Sequence, residues 1–248
     1  MPTNLQVFIL GPARSGTSIT YYAMREIFGL SGDGESHVMP IFQRILHDFR
    51  TYQRNFAEND SNVTAASLYP IDFRHHIVQY IRTFYARKYP EAQWVDKTPG
   101  DEAILGAPLI QETFPSAKVI CTRRTGIEVV QSFRAKFSSQ FAEACQAWAL
   151  SMNALLKSRE SCPHLLEVDQ FDMTNAPEEV ARAMTDYLGA PERWRAMAEF
   201  FRHQRTDRLS SHDWSQRLTL RNTDWSDEER TLFVAACGEL MQKFDYPL

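Results

Sequence analysis

Val7-Phe8-Ile9-Leu10 runs straight into Gly11-Pro12-Ala13-Arg14-Ser15-Gly16-Thr17-Ser18, and from Ser18 the apolar positions Ile19, Tyr22, Ala23 and Ile27 recur at helical spacing as far as Gly29. A buried strand, a loop with two glycines five residues apart and a helix, in that order, constrain the fold more than any other stretch. Such a turn gathers backbone N–H groups and a helix N-terminus at one spot, which suits a phosphate or sulfate. The loop departs from the metal–nucleotide pattern G-x-x-x-x-G-K-[ST], whose lysine contacts the β- and γ-phosphates. Thr17 stands in the lysine's place, and the cation is Arg14, inside the loop. No apolar run ends in a good magnesium carboxylate; Leu165-Leu166-Glu167-Val168-Asp169 is the nearest. The loop is expected to hold an anionic group without handling a metal nucleotide.

The remaining pattern alternates helices and strands. Pro40 is expected to open a helix with Ile41, Ile45, Phe49, Tyr52 and Phe56 on one face; the aromatic stripe Phe42, Phe49, Tyr52 and Phe56 is expected mostly to pack in the core, with part of it open to a ligand pocket. A further helix carries Phe73, Ile77, Ile81, Phe84 and Tyr85 and stops before Pro90. Trp94-Val95-Asp96 is a short strand, and Lys118 to Thr122 is a longer one preceded by a short helix ending near Phe114. Phe141, Cys145, Trp148, Met152, Leu155 and Leu156 trace one helical stripe, and His164 to Val168 is another buried strand. Asn175 with Glu178, and Ser226 with Glu229, have capping-box spacing at helix starts. The alternation predicts an α/β fold, a central parallel sheet flanked by helices, over 1–248 as a single domain.

Val119-Ile120-Cys121-Thr122 leads into Arg123-Arg124, and Ser132 follows Arg124 by eight residues. Arginines at the C-terminal end of a parallel strand lie on the edge where open α/β sheets bind ligands. A helix starting near Gly126 would bring the Ser132 hydroxyl back to the same anion. With the first loop, this stretch implies a ligand carrying negative charge at two places.

Composition narrows the classes. With 44% hydrophobic and 23% charged residues, the 248-residue chain can bury a sizeable core. The formal net charge of −4 argues against a general nucleic-acid coat and leaves a local basic pocket open. Cys121, Cys145, Cys162 and Cys237 form no CxxC pair, which excludes a cysteine zinc site and a disulfide scaffold and fits a reducing compartment. No early apolar run is long enough for a signal peptide or a membrane span, so a cytoplasmic protein is expected. For the same reason Asn59 and Asn62 are glycosylation sequons only formally. The histidines, including His75-His76, match no metal-binding pattern.

These residues together resemble the sulfotransferases that use 3′-phosphoadenosine 5′-phosphosulfate (PAPS). That family carries a 5′-phosphosulfate loop P-[KR]-S-G-T-[TS], which residues 12–18 of the 11–18 loop match apart from the inserted Ala13. Its 3′-phosphate motif, a strand, R-D-P and a serine eight residues after the arginine, is similar to 118–132, with Thr125-Gly126 in place of Asp-Pro. Trp94-Val95-Asp96-Lys97-Thr98-Pro99 resembles W-x-[DE]-K-T-P, and Leu166 through Gly189 resembles a strand, a Pro-Glu helix and F-L-G. The resemblance implies a P-loop-like fold, PAPS as co-substrate, adenosine 3′,5′-bisphosphate (PAP) as product, and no metal. It implies a small-molecule, carbohydrate or lipid acceptor, with 35–90 as the acceptor-side helical segment.

By the same resemblance, Arg14 and the groups of Ser15, Gly16, Thr17 and Ser18 hold the 5′-phosphosulfate, while Arg124 and Ser132 hold the 3′-phosphate. Lys97 reaches the transferring sulfate. The arylsulfotransferase branch places a histidine after K-T; here Pro99 follows Lys97-Thr98. The protein-tyrosine and some bacterial carbohydrate branches use a glutamate about twenty residues after the loop's cation. Glu35 stands 21 residues after Arg14 in Gly34-Glu35-Ser36-His37 and is expected to be the general base, its pKa raised by burial, with His37 in reserve. Ser210 to Arg217 loosely resembles the family's C-terminal donor loop without its glycines. Two other readings remain, a P-loop kinase and a non-catalytic PAPS- or PAP-binding protein.

Overall fold

The computed structural model describes residues 4–57, 70–203 and 215–248. Four parallel strands, β1 (Gln6–Leu10), β2 (Trp94–Lys97), β3 (Lys118–Arg123) and β4 (Leu166–Asp169), lie in the order β2-β1-β3-β4. β1, β2 and β3 are short and largely buried on both faces, as parallel strands covered by helices must be, while the edge strand β4 is buried only at Val168 and Asp169. Alternation along β1 sends Phe8 and Leu10 to one core, and Val7 and Ile9 to the other.

On one face of the sheet Val7, Ile9, Val95 and Ile120 pack with α1 (Thr17–Phe28), α9 (Pro177–Tyr187) and α10 (Trp194–His203). On the other, Phe8, Leu10, Trp94 and Val119 meet α3 (Pro70–Lys88), α4 (Asp101–Leu105), α5 (Ala107–Thr113), α7 (Phe141–Ser161) and α11 (Asp227–Lys243). Rings of Phe8, Tyr85, Trp94 and Phe114 meet edge-on or tilted there, with centroids 4.7–5.9 Å apart. That geometry adds a directional term to burial and holds β1 against β2.

β1 leads to β2 on one side and β3 leads to β4 on the other, so the connections diverge between β1 and β3. Ligands of open α/β sheets bind in that crevice. The loop 11–18 and the β3–α6 connection, with α6 at Gly126–Phe137, both open onto it.

Local chemistry explains most boundaries. α1 stops at Gly29 in the left-handed region, whose N–H bonds to the Arg25 carbonyl while Leu30 bonds back to Met24. α11 starts at the expected capping box, with Glu229 N–H to Ser226 Oγ at 3.2 Å and Ser226 N–H to Glu229 at 3.0 Å. β4 begins two residues later than expected. The Tyr187 hydroxyl donates to the His164 carbonyl and accepts from Val119 N–H, so ladder pairing starts only at Leu166 opposite Ile120.

Two expectations are corrected. α2 (Val38–Tyr52) buries Met39 and Leu46, with Gln53 just beyond it and Phe42 and Phe49 packed against α3, while Ile41, Ile45 and Tyr52 are exposed. The helix starts two residues before Pro40, and of the aromatic stripe Phe42 and Phe49 face inward as expected while Tyr52 does not; the side chain of Phe56 lies outside the described residues. Asn175 does not cap α9. It closes the short α8 (Gln170–Asn175) by bonding to the Phe171 carbonyl, and α9 begins on Pro177 after Ala176 with no side-chain cap.

Candidate active site

Three backbone positions shape the first loop. Gly11, Arg14 and Gly16 have φ of 145°, 69° and 96°. A Cβ on Gly11 would lie 2.4 Å from the Thr122 carbonyl oxygen, so only glycine lets β1 turn this closely past β3. α1 then starts with no side-chain cap and no acidic residue in its first turn, leaving the positive end of its dipole available to an anion.

The side chains of the loop divide into braces and ligand candidates. Ser15 is fully buried, its hydroxyl donating to the Pro12 carbonyl at 2.6 Å and lying 2.8 Å from Thr122 Oγ1, so it holds the loop's shape. Thr17 is buried as well. Gly16 is covered by Gln170, whose side-chain oxygen is buried without a hydrogen-bond partner. No motif pointed to Gln170. Ser18 lies across the loop mouth and accepts from Lys97 Nζ at 3.3 Å.

Arg14 Nε donates to Ser132 Oγ at 2.9 Å, joining the first loop to α6. Arg124 Nη1 donates to the Arg14 carbonyl at 3.1 Å, and Trp148 Nε1 to the Arg124 carbonyl at 3.0 Å. Arg124 is almost wholly buried, its Nε 3.1 Å from Glu128, which also accepts from Leu218 N–H. Glu128, unmarked by any motif, thus ties the second basic cluster to the segment that follows residue 214. The connection before α6 is sound despite lacking Asp-Pro, because Thr125 caps the helix by accepting from Glu128 N–H. Gly126 is needed for packing, since a Cβ there would press 3.1 Å from Trp148 and Phe233.

The carboxylate at the end of Leu165–Asp169 is engaged on both oxygens. Asp169 accepts from Phe171 N–H and Tyr246 and pairs with Arg123 and Arg217. Arg217 also lies 4.3 Å over the Phe171 ring, beside the sheet's ligand edge. Ser210 to Trp214, like Asn59 and Asn62, lie outside the described residues. Among the described residues, no group of three or more His, Cys, Asp or Glu converges to hold a metal ion.

Glu35 reaches the site along the sheet edge. Ser31 to Ser36 runs beside β2, with bridges Ser31–Trp94 and Glu35–Lys97, and Gly32 admits the Val95 carbonyl 2.5 Å from where a Cβ would be. The Tyr21 hydroxyl accepts from Gly34 N–H at 2.9 Å, while Lys88 and Tyr89 hold Asp33. Below it, the buried Asp96 accepts from Ser36 at 2.5 Å, Tyr85 at 2.6 Å and Thr98 at 3.2 Å. Burial pushes Asp96 above the usual carboxylate range despite these donors. Asp96 stood inside the Trp94–Pro99 motif and could have been marked from it; Tyr21 carried no signal beyond its place on a helix.

Lys97 Nζ donates to Glu35 Oε1 at 2.9 Å. The Lys97 side chain is 7% exposed and that of Glu35 47%. Lys97 therefore pulls the Glu35 pKa below its ordinary value, opposing the smaller effect of burial. This overturns the expected upward shift; the carboxylate is too open and too close to an ammonium for desolvation to dominate.

A profile of the Sulfotransferase family matches residues 6–196, most of the chain. No curated protein matches the sequence at a significant level. Solved structures with the same fold include the sulfotransferase domain from the curacin biosynthetic pathway, at 17% identity, covering 98% of each chain with a TM-score of 0.56. The sulfotransferase domain from the Synechococcus PCC 7002 olefin synthase is 20% identical over 99% of this chain and 96% of that one, with a TM-score of 0.60. Sulfotransferase STF9 from Mycobacterium avium is 14% identical over 100% of this chain and 79% of that one, with a TM-score of 0.55. No helix among the described residues is long and apolar enough to cross a membrane.

Proposed function

The chain belongs to the sulfotransferase family, and from that premise we propose that it transfers a sulfuryl group from PAPS to a hydroxyl acceptor, with Glu35 as general base. The observation that supports this reading is the contact of Arg14 with Ser132, which joins the loop proposed for the 5′ end to the helix proposed for the 3′-phosphate. The donor set suits a doubly anionic adenosine: Arg14, Arg124 and the uncapped start of α1 supply positive charge and N–H donors. It suits a metal triphosphate poorly, since Thr17 replaces the lysine and Asp169 is already paired.

Bound PAPS would supply the activated sulfuryl group, and the protein would supply alignment and charge. Arg14, Gly16, Thr17 and Ser18 hold the 5′ end, the side chain of Ser15 keeps that loop in shape, and Arg124 with Ser132 holds the 3′-phosphate. Lys97, set between Ser18 and Glu35, stabilises charge on the transferring group. Glu35 takes the hydroxyl proton as the acceptor oxygen bonds to sulfur, because a carboxylate is too weak a base to remove it beforehand. The acceptor is a small-molecule, carbohydrate or lipid alcohol, the location cytoplasmic, and 1–248 one sulfotransferase domain.

Calorimetry with PAP against ATP plus magnesium tests the donor. Binding of PAP alone is expected, and binding of ATP–magnesium alone would overturn the reading. Labelled-sulfate transfer from PAPS across an acceptor panel tests the activity, and its absence for every hydroxyl would leave only a binding protein.

A further inference from the structure

The two oxygens of Glu35 have different partners. Oε1 accepts from Lys97 at 2.9 Å, and Oε2 lies 3.3 Å from His37 Nε2. The His37 side chain is 57% exposed against 7% for Lys97, so the three groups form a line from the protein interior to water. His37 reaches this position at a conformational cost. Its φ is 51°, in the left-handed region, and it stands at the start of α2 without capping that helix through its side chain. The conformation is held from outside: Thr98 Oγ1 accepts from His37 N–H at 3.2 Å, and the preceding Ser36 is bound to Asp96. A strained backbone kept in place by buried groups, with its ring turned onto a carboxylate, indicates a role beyond closing a turn.

We propose that His37 is a proton relay, taking from Glu35 the proton that the acceptor hydroxyl releases and passing it to water. The inference rests on the sulfotransferase reading with Glu35 as base. In the balanced step, the acceptor oxygen bonds to sulfur and its proton moves to Glu35. The bond from sulfur to the bridging oxygen breaks, and its electron pair leaves with the bisphosphate. Glu35 must then lose that proton before another turnover. Lys97 disfavours the protonated carboxyl, and an imidazole at hydrogen-bond distance with an open face to solvent is the nearest acceptor. The charged groups facing His37 are Glu35 beside it and Asp96 on β2, with Lys97 on the far side of Glu35.

His37→Asn tests the relay, because asparagine tolerates the left-handed backbone and the variant removes only the ring. In dilute, weakly basic buffer its turnover is expected to fall by about tenfold, less than the roughly hundredfold or more of losing a general base, because Glu35 is still there to take the proton. Added imidazole is expected to restore it. His37→Gln should behave alike. A second readout needs no turnover: in the free protein, the ring-nitrogen resonances of His37 are expected to change in Glu35→Gln. Turnover of both His37 variants equal to wild type at every buffer concentration, or ring signals indifferent to Glu35→Gln, overturns the relay. Failure of the underlying reading looks different: the wild type would transfer no sulfate, or Glu35→Gln would retain full transfer.

Discussion

Arg14 donates from Nε to Ser132 Oγ at 2.9 Å, across 118 residues of sequence, and this bond joins the first loop to α6. Removing the charged partner is expected to weaken PAP binding by about ten- to a hundredfold in Arg14→Ala, the range of one charge-assisted hydrogen bond. Ser132→Ala should cost less. Because the two side chains are bonded to each other, the losses in the double variant should not add. Calorimetric titration of the four proteins checks this, and strictly additive losses would separate the two clusters.

Gly11→Ala tests the turn itself. The added methyl meets the Thr122 carbonyl at 2.4 Å and its hydroxyl at 2.5 Å, on a backbone with φ 145°. We expect a loss of about 3 kcal/mol or more, read from urea unfolding. A variant of wild-type stability would mean that β1 and β3 can part without penalty.

Lys97→Met should move the acid limb of the pH profile to higher pH. Glu35 must be ionised to accept a proton, and Lys97 keeps it ionised to lower pH than an ordinary glutamate. The depressed pKa also means that the pair's small contribution to stability is present above the ordinary value and fades as pH falls through the folded one. NMR titration of the Glu35 carboxyl in both free proteins checks the direction, and an unchanged titration contradicts it.

Asp96→Asn probes the buried support under Glu35. Wild-type Asp96 is pushed up by burial, so its favourable contribution is present at low pH and shrinks as pH rises from 3.8 through the folded value. The variant lacks that titration. Its stability relative to wild type should therefore increase with pH across this window, measured by urea unfolding at several pH values; a flat difference refutes the assignment. Tyr85→Phe, which removes one donor to Asp96, should cost about 1–2 kcal/mol.

Short-range chemistry made much of this protein legible from its residues alone. The strand, glycine loop and helix over 7–28 and the Ser226–Glu229 box follow from spacing and backbone preference, and the structure contains each of them. The tertiary structure decided what local patterns leave degenerate. α2 has apolar residues on two adjacent stripes, and only the presence of α3 and the sheet selected Met39, Phe42, Leu46 and Phe49 over Ile41, Ile45 and Tyr52. Asn175 and Glu178 have capping spacing, yet a preceding short helix claimed the asparagine. The family resemblance pointed to Glu35, but the sign of its pKa shift came from a lysine 62 residues away. Propensity and spacing act over a few residues, whereas burial, register and charge pairing depend on which distant segments share a surface.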